Sequence, residues 1–228
     1  MLSKKMDCPY TVTVSEAVSV QKHLRENLSF QFPYVEEEVH TVAGIDVSYF
    51  NKRTAWAVVV VLDYPSLELQ QVVWATAEAV FPYVPGFLSF REGPAVEAAL
   101  MKLPVVPQIF FFDGQGIAHP RGVGLASHFG VLFDIVSVGV AKSLLVGSFV
   151  EPPLLPGSYS YLEYHGQKVG AAIRTRAGVK PVFVSPGHRI DVEGAIHWTL
   201  RVTGKYRIPV PTRLAHIYSE KLKSQPPA

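Results

Sequence analysis

"TVAGIDVSYFNKRTAWAVVVVLDYPSLELQQVVWATAEAV" (residues 41–80) decides how this chain folds. It contains three runs rich in β-branched and aromatic residues, 41–50, 54–63 and 67–80, which predict three strands. The links "NKR" and "YPS" are too short for a crossover, so neighbours are expected to pair as antiparallel hairpins. One residue resists the pattern. Asp46 stands inside an otherwise apolar strand, where an unpaired carboxylate is costly to bury. Either a cation such as a nearby arginine satisfies it, or it is a metal ligand.

Working outward, the rest of the chain alternates. "SEAVSVQKHLREN" (15–27) reads as a helix with Ser15 near its N-cap. "PAVEAALMKL" (94–103) is helical, with Pro94 suited to a first turn. "PQIFFFDG" (107–114) is a short, fully apolar strand of the kind covered on both faces. A helix at 124–134 and a strand at 135–143 follow, then strands at 168–176 and 181–187 and helices at 191–203 and 212–223. The proline-rich segments "EPPLLPG" (151–157) and "RIPVPTR" (207–213) read as loops. A meander followed by βα units predicts one α/β domain over 1–228, a mixed β-sheet flanked by helices on both faces. That order is similar to the ribonuclease H-like fold.

Composition narrows the class. Of 228 residues, 48% are apolar, enough for a sizeable core. The longest apolar run, "AWAVVVVL" (55–62), is far short of the ~20 residues that cross a bilayer. "MLSKKMDCPY" carries no apolar segment behind it, so no secretory signal is expected and a cytoplasmic location is. A single cysteine, Cys8, excludes an internal disulfide and a Cys-rich zinc site. The net charge of +2 hides an asymmetry: residues 165–228 hold eleven Lys/Arg against three acids. Such a basic third is compatible with a phosphate backbone, or is simply a solvated face.

The remaining candidates for chemistry lie apart along the chain. Asp113 repeats the Asp46 pattern at the C-terminal end of a buried strand, where ligands gather in open α/β sheets; alone it would read as an Asp-Gly turn. Glu92 has capping-box spacing from Ser89, yet Pro94 would then fall in the helix's second turn. Either the helix bends there, or it starts at Pro94 and Glu92 points elsewhere. Carboxylates are hard oxygen donors that suit Mg²⁺, or Mn²⁺ in its place. His216 lies off the apolar stripe of Leu214, Ile217, Tyr218 and Leu222, so it is solvent-exposed or functional rather than core. Lys142 ends a strand and His119 stands in a glycine-rich loop; either can contact a phosphate or orient a water, or be an ordinary surface residue. Tyr83, held between Pro82 and Pro85 in "PYVPG", is a stiff segment with an aromatic tip, suited to entering a base stack. Gly114, Gly116, Gly122 and Gly124 let a backbone approach a ligand closely, with no phosphate-loop "GK[ST]" beside them.

Taken together, "AGIDVSYF", "PYVPGFLSFREGPAV", "FFFDGQGIAHPRGVGLASHFGVL", "VGVAKSLLVG" and "PVPTRLAHIYSEK" resemble the endonuclease V family, over residues 12–223 and in the family's order. The resemblance implies a ribonuclease H-like nuclease with Asp46, Glu92 and Asp113 at its metal-binding carboxylate positions. His216 matches a further site position on the last helix, and Lys142 and His119 match active-site positions. Pro82, Tyr83 and Pro85 match the lesion-probing wedge, and Gly86, Leu88, Gly114 and Gly116 the base pocket. The implied activity is cutting of the second phosphodiester bond 3′ to deoxyinosine in DNA, leaving a 3′-hydroxyl and a 5′-phosphate. Inosine in RNA is a second candidate substrate, and a monomer with no membrane partner is expected. The rival readings are another ribonuclease H-like nuclease, such as a junction resolvase or hybrid nuclease, and a non-catalytic nucleic-acid-binding protein.

Overall fold

The alternation of apolar side chains along the strands sorts the core into two layers, one on each side of a single sheet. The structure, a computed structural model, describes residues 2–50 and 53–224, with side chains as far as residue 222. Part of the "NKR" link, residues 51–52, lies outside the described residues. The strands are β1 (Thr41–Phe50), β2 (Thr54–Asp63), β3 (Leu69–Glu78), β4 (Ile109–Phe112), β5 (Ser137–Ala141), β6 (Tyr159–Tyr164), β7 (Gln167–Ile173) and β8 (Val182–His188). They form one sheet in the order β3-β2-β1-β4-β5-β8-β7-β6. β1 pairs antiparallel with β2 and β2 with β3, as the short links require. β4 lies parallel to both β1 and β5 at the centre.

On one face Ala43, Ile45, Phe110 and Phe112 pack with Phe90 and Phe129. These last belong to the helices α2 (Leu88–Leu100) and α3 (Leu125–Phe133), with α1 (Val14–Glu26) beside them. On the other face Val42, Val58, Ile109 and Phe111 pack against Trp198 and Ala215. Those side chains come from α4 (Val192–Arg201) and α5 (Val210–Ser224). The expected α/β layering is therefore what forms. Among the described residues, no helix is long and apolar enough to cross a membrane.

Several expected boundaries move, each for a local reason. Thr13, not Ser15, caps α1, because Thr13 and Glu16 close a reciprocal capping box. α2 starts at Leu88 rather than Pro94 and takes Pro94 into its interior, leaving the Phe90 carbonyl without its usual i+4 donor. Glu92 therefore belongs to the helix, and Ser89 does not cap it. β3 starts at Leu69 because Leu67 turns the chain at φ 58°. Half of the "RIPVPTR" loop is helical, since Pro211 is accommodated in the first turn of α5. β6 was not expected. Only Leu162 is buried in it, so this edge strand carries no apolar run to mark it.

Candidate active site

Chain parity brings three of the dispersed polar residues together. Asp46 follows Val42 and Gly44 on the face of β1 that meets α5, and Ser48 continues that row to donate to the Ser219 carbonyl. Asp113 follows Phe112 directly, on the face of Phe111, and its N–H donates to the Ile45 carbonyl at 3.0 Å. α5 lays His216 over them. One ligand atom each from Asp46, Asp113 and His216 lies within 4.8 Å of the others.

The partners of these groups are specific. His216 Nδ1 is 3.2 Å from Asp46 Oδ2, and Ser219 Oγ donates to the same oxygen at 2.5 Å. Lys142, just past β5, places Nζ 2.5 Å from Asp113 Oδ2. Glu92 arrives from the opposite layer, on α2, and accepts from the Tyr49 hydroxyl at 3.2 Å. It is not one of the three ligands that converge within 4.8 Å. It is nevertheless near enough for the Asp46 and Asp113 charges to act on it.

Electrostatics marks the cluster as short of positive charge. Burial holds the Asp46 carboxyl above its usual range and Asp113 adds to this, against the lowering bonds from Ser219 and His216. Burial, then the two aspartates, push Glu92 up to about 8, with the Tyr49 hydrogen bond opposing. A divalent cation would offset that repulsion. Two carboxylates, a third nearby and one imidazole form a hard, oxygen-rich donor set, which fits Mg²⁺ or Mn²⁺.

The raised Glu92 pKa has a consequence for stability. Its folded-state value of about 8 lies above the ordinary 4.5, so below about 4.5 the group is protonated in folded and unfolded chains alike. As pH rises from the ordinary value towards the raised one, ionisation favours the unfolded chain, by roughly 1.4 kcal/mol for each pH interval of one. In chelator the unfolding midpoint is therefore expected to fall between about pH 5 and pH 8, and Glu92→Gln should flatten the fall. An unchanged pH profile in that variant would contradict the assignment.

Beside the cluster lies a cavity of about 170 Å³. Tyr83, Val84, Pro85, Gly86, Leu88 and Ser89 form one wall, Gln115, His119, Val123, Gly124 and Leu125 another, and Leu145 a third. Tyr83, at the rim of that wall, is 75% exposed. Gly114 and Gly116 do not line the cavity. A Cβ at Gly116 would lie 1.9 Å from the Pro186 carbonyl oxygen, and one at Gly114 would press on Leu125 at 3.3 Å. Their smallness seats the loop on β8 and α3. Pro82 also lies outside the lining, at the base of the Tyr83 segment.

His119 is held in one tautomer. Its Nδ1 accepts from the Arg121 N–H at 3.2 Å, so Nε2 carries the proton and donates to the Gly86 carbonyl at 3.0 Å. Burial, with the Arg121 charge, pushes it down to about 4, so the ring is neutral at physiological pH. It braces the wall rather than facing a phosphate as an imidazolium.

Ser219, Gln21, Arg121 and Leu145 were not picked out from the sequence. Ser219 was reachable, standing one helical step (i+3) from His216. Gln21 and Arg121 gave no signal, because their partners, each other and backbone carbonyls, lie far away in sequence.

The mixed sheet, with one acid inside β1 and another directly after its parallel neighbour β4, defines an α/β protein of the ribonuclease H-like class. A family model described as Endonuclease V matches residues 22–217. An endonuclease V of Kosmotoga olearia is 49% identical over 94% of this chain and 94% of its own length. The crystal structure of the Streptomyces avermitilis endonuclease V superposes with a TM-score of 0.90 at 42% identity, covering 96% of this chain and 97% of that one. The endonuclease V of Ciona intestinalis, solved in complex with a 24mer DNA containing an inosine followed by a ribo-adenosine, gives 0.79 at 27% identity, covering 93% and 98%. The chain belongs to the endonuclease V family and is an endonuclease.

Proposed function

We propose that this endonuclease is Mg²⁺-dependent, recognises deoxyinosine in DNA, and hydrolyses the second phosphodiester bond 3′ to it, leaving 3′-hydroxyl and 5′-phosphate ends. One observation carries the reading: three segments that wall the cavity also reach the cluster, bringing Asp113, its partner Lys142 and the nearby Glu92 to Asp46 of β1 and His216 of α5. Residues 83–92 give Tyr83, the wall at 86–89 and Glu92. Residues 113–125 give Asp113 and the wall at 119–125, and residues 142–145 give Lys142 and Leu145. A base held in the cavity thus fixes where its own strand meets the cluster. The inosine-containing DNA bound by the Ciona intestinalis relative supports the same substrate class.

The cavity's chemistry suits a 6-keto purine. α2 and α3 begin at Phe87 and Gly124 without a side-chain cap, so the first N–H groups of both helices stand beside it. Leu88, Ser89 and Leu125 are in the lining. Such donors satisfy the C6 carbonyl of hypoxanthine, whereas adenine would set an amine against them. Inosine pairs weakly with most partners, so its extrusion costs less than that of a well-paired base. Tyr83 takes the gap left in the stack.

At the cluster, Asp46, Asp113 and Glu92 would hold the cation, with His216 as a further ligand or as the holder of a water. When bound, the cation supplies Lewis-acid stabilisation of phosphoryl charge and a nucleophilic water. Ser219 fixes Asp46 so that its second oxygen is free to point into the site. Lys142 balances Asp113 and offers a positive charge to the scissile phosphate. The basic C-terminal third holds backbone phosphates without reading sequence.

The test is nicking of matched strands that differ only in deoxyinosine or deoxyadenosine at one position, with Mg²⁺ and with chelator. Cutting confined to the inosine strand in Mg²⁺ is expected; equal cutting of both strands would reject lesion recognition. For Tyr83→Ala, loss of one base-stacking surface, ~1–3 kcal/mol, should weaken binding to the inosine duplex about tenfold. Binding to plain duplex should stay the same. A variant that still binds the lesion as wild type does would remove the wedge.

A further inference from the structure

α1 lines none of the cavity, yet one of its side chains bonds from behind to carbonyls of two lining residues, Gly86 and Val123. Gln21 is fully buried, an unusual place for an amide. Its Nε2 donates to the Gly86 carbonyl at 3.0 Å and to the Val123 carbonyl at 3.3 Å. Its Oε1 accepts from Arg121 Nε. Arg121 Nη2 donates in turn to the same Gly86 carbonyl at 2.6 Å, and its guanidinium lies 4.1 Å from the centroid of Phe87. His119 Nε2 is the third donor to that oxygen. One carbonyl thus gathers three side chains, from α1 and from the glycine-rich loop.

The position of that carbonyl matters. Gly86 has φ +80°, a backbone setting open to glycine, and it lies between the exposed Tyr83 tip and the start of α2. Gly86 and Val123 stand on opposite walls of the cavity, and Gln21 bonds to both. Its amide therefore sets the gap between the two loops that must clasp a base.

We infer that Gln21 is a positioning residue for lesion discrimination: its amide, clamped with Arg121 and His119 on the Gly86 carbonyl, holds the Tyr83 segment and the glycine-rich loop at the spacing that accepts a deaminated purine. The inference rests on the reading of the cavity as the base pocket. Gln21 touches neither substrate nor the acidic cluster. It acts on recognition, and the chemical step should not depend on it.

Two variants test this. Gln21→Met keeps the side-chain length and removes every hydrogen bond. Gln21→Glu keeps the acceptor for Arg121 but sets a carboxylate oxygen against two carbonyls. Single-turnover cutting of the deoxyinosine strand is measured over a range of enzyme concentrations in Mg²⁺, at a temperature where both variants are folded by circular dichroism. The half-saturating concentration is expected to rise at least tenfold in each variant, with the plateau rate within twofold of wild type. Preference over the plain strand should fall by the same factor. An unchanged half-saturating concentration, or a plateau that falls while half-saturation stays put, would overturn the inference. Should Gln21→Met not fold, Gln21→Glu decides alone, since the Arg121 partner remains. A wild type that itself cuts inosine and plain strands equally would instead reject the pocket reading, so the two failures are distinguishable.

Discussion

Alanine at Asp46 or at Asp113 is expected to lower Mg²⁺-dependent nicking of a deoxyinosine strand by at least about a thousandfold, ~4 kcal/mol of transition-state stabilisation. Each carboxylate offers one of the three atoms that converge within 4.8 Å, and no other described His, Cys, Asp or Glu joins that group. Removing either leaves too few anionic donors for a hard cation. The fold should survive. Burial, with the Asp113 charge, holds the Asp46 carboxyl above its usual range, so removing it relieves a costly buried charge. Unfolding midpoints in chelator should match or exceed wild type, which separates lost chemistry from lost structure. Nicking within tenfold of wild type by either variant would contradict the cluster's role.

The second large effect is expected at Gly44. A Cβ there would lie 2.0 Å from the Pro211 carbonyl oxygen, 2.1 Å from its carbon and 2.8 Å from the Thr212 nitrogen. These are backbone atoms and cannot rotate away. Gly44→Ala must push the start of α5 off β1, and that helix carries His216 and Ser219 to Asp46. Overpacking costs typically ~1–3 kcal/mol, and a clash with backbone belongs at or above the top of that range. Urea unfolding should show a loss of about 3 kcal/mol, with nicking reduced further than stability alone explains. A variant as stable and active as wild type would mean that α5 need not sit where it does.

These two effects also show what the sequence can and cannot disclose. The meander at 41–80 was legible because its alternation and short links leave little freedom, and Asp46 was conspicuous for breaking it. Asp113 was legible as the end of a four-residue apolar strand. The grouping of Asp46 with His216 came only from the family resemblance and not from the residues, because 170 positions separate them and only Gly44 tells how closely α5 can approach. Glu92 was visible as a residue and opaque as a position. A proline inside a helix is disfavoured locally, yet α2 runs through Pro94 with Gly93 packed closely on the Tyr10 ring. Gln21 was silent: a glutamine on an amphipathic helix reads as surface until its carbonyl partners are known. β6 was silent for the opposite reason, being half-exposed along its length.

The glycine-rich loop shows a subtler limit. Four glycines suggest a backbone bared to a ligand. Gly116 admits neighbouring backbone, its added Cβ falling 1.9 Å from the Pro186 carbonyl oxygen, while Gly124 lines the cavity and also packs on backbone, 2.4 Å from the Gln115 carbonyl oxygen for an added Cβ. The cavity is walled by the helix starts that this tight packing sets in place.

The most direct test maps the cut at single-nucleotide resolution on a strand bearing one deoxyinosine, with Mg²⁺ present. A base seated between Gly86 and Leu125, beside Asp46 and Asp113, predicts one product, a nick at the second phosphodiester bond on the 3′ side that vanishes in chelator. Cuts scattered along the strand, or a cut whose place ignores the inosine, would contradict the account.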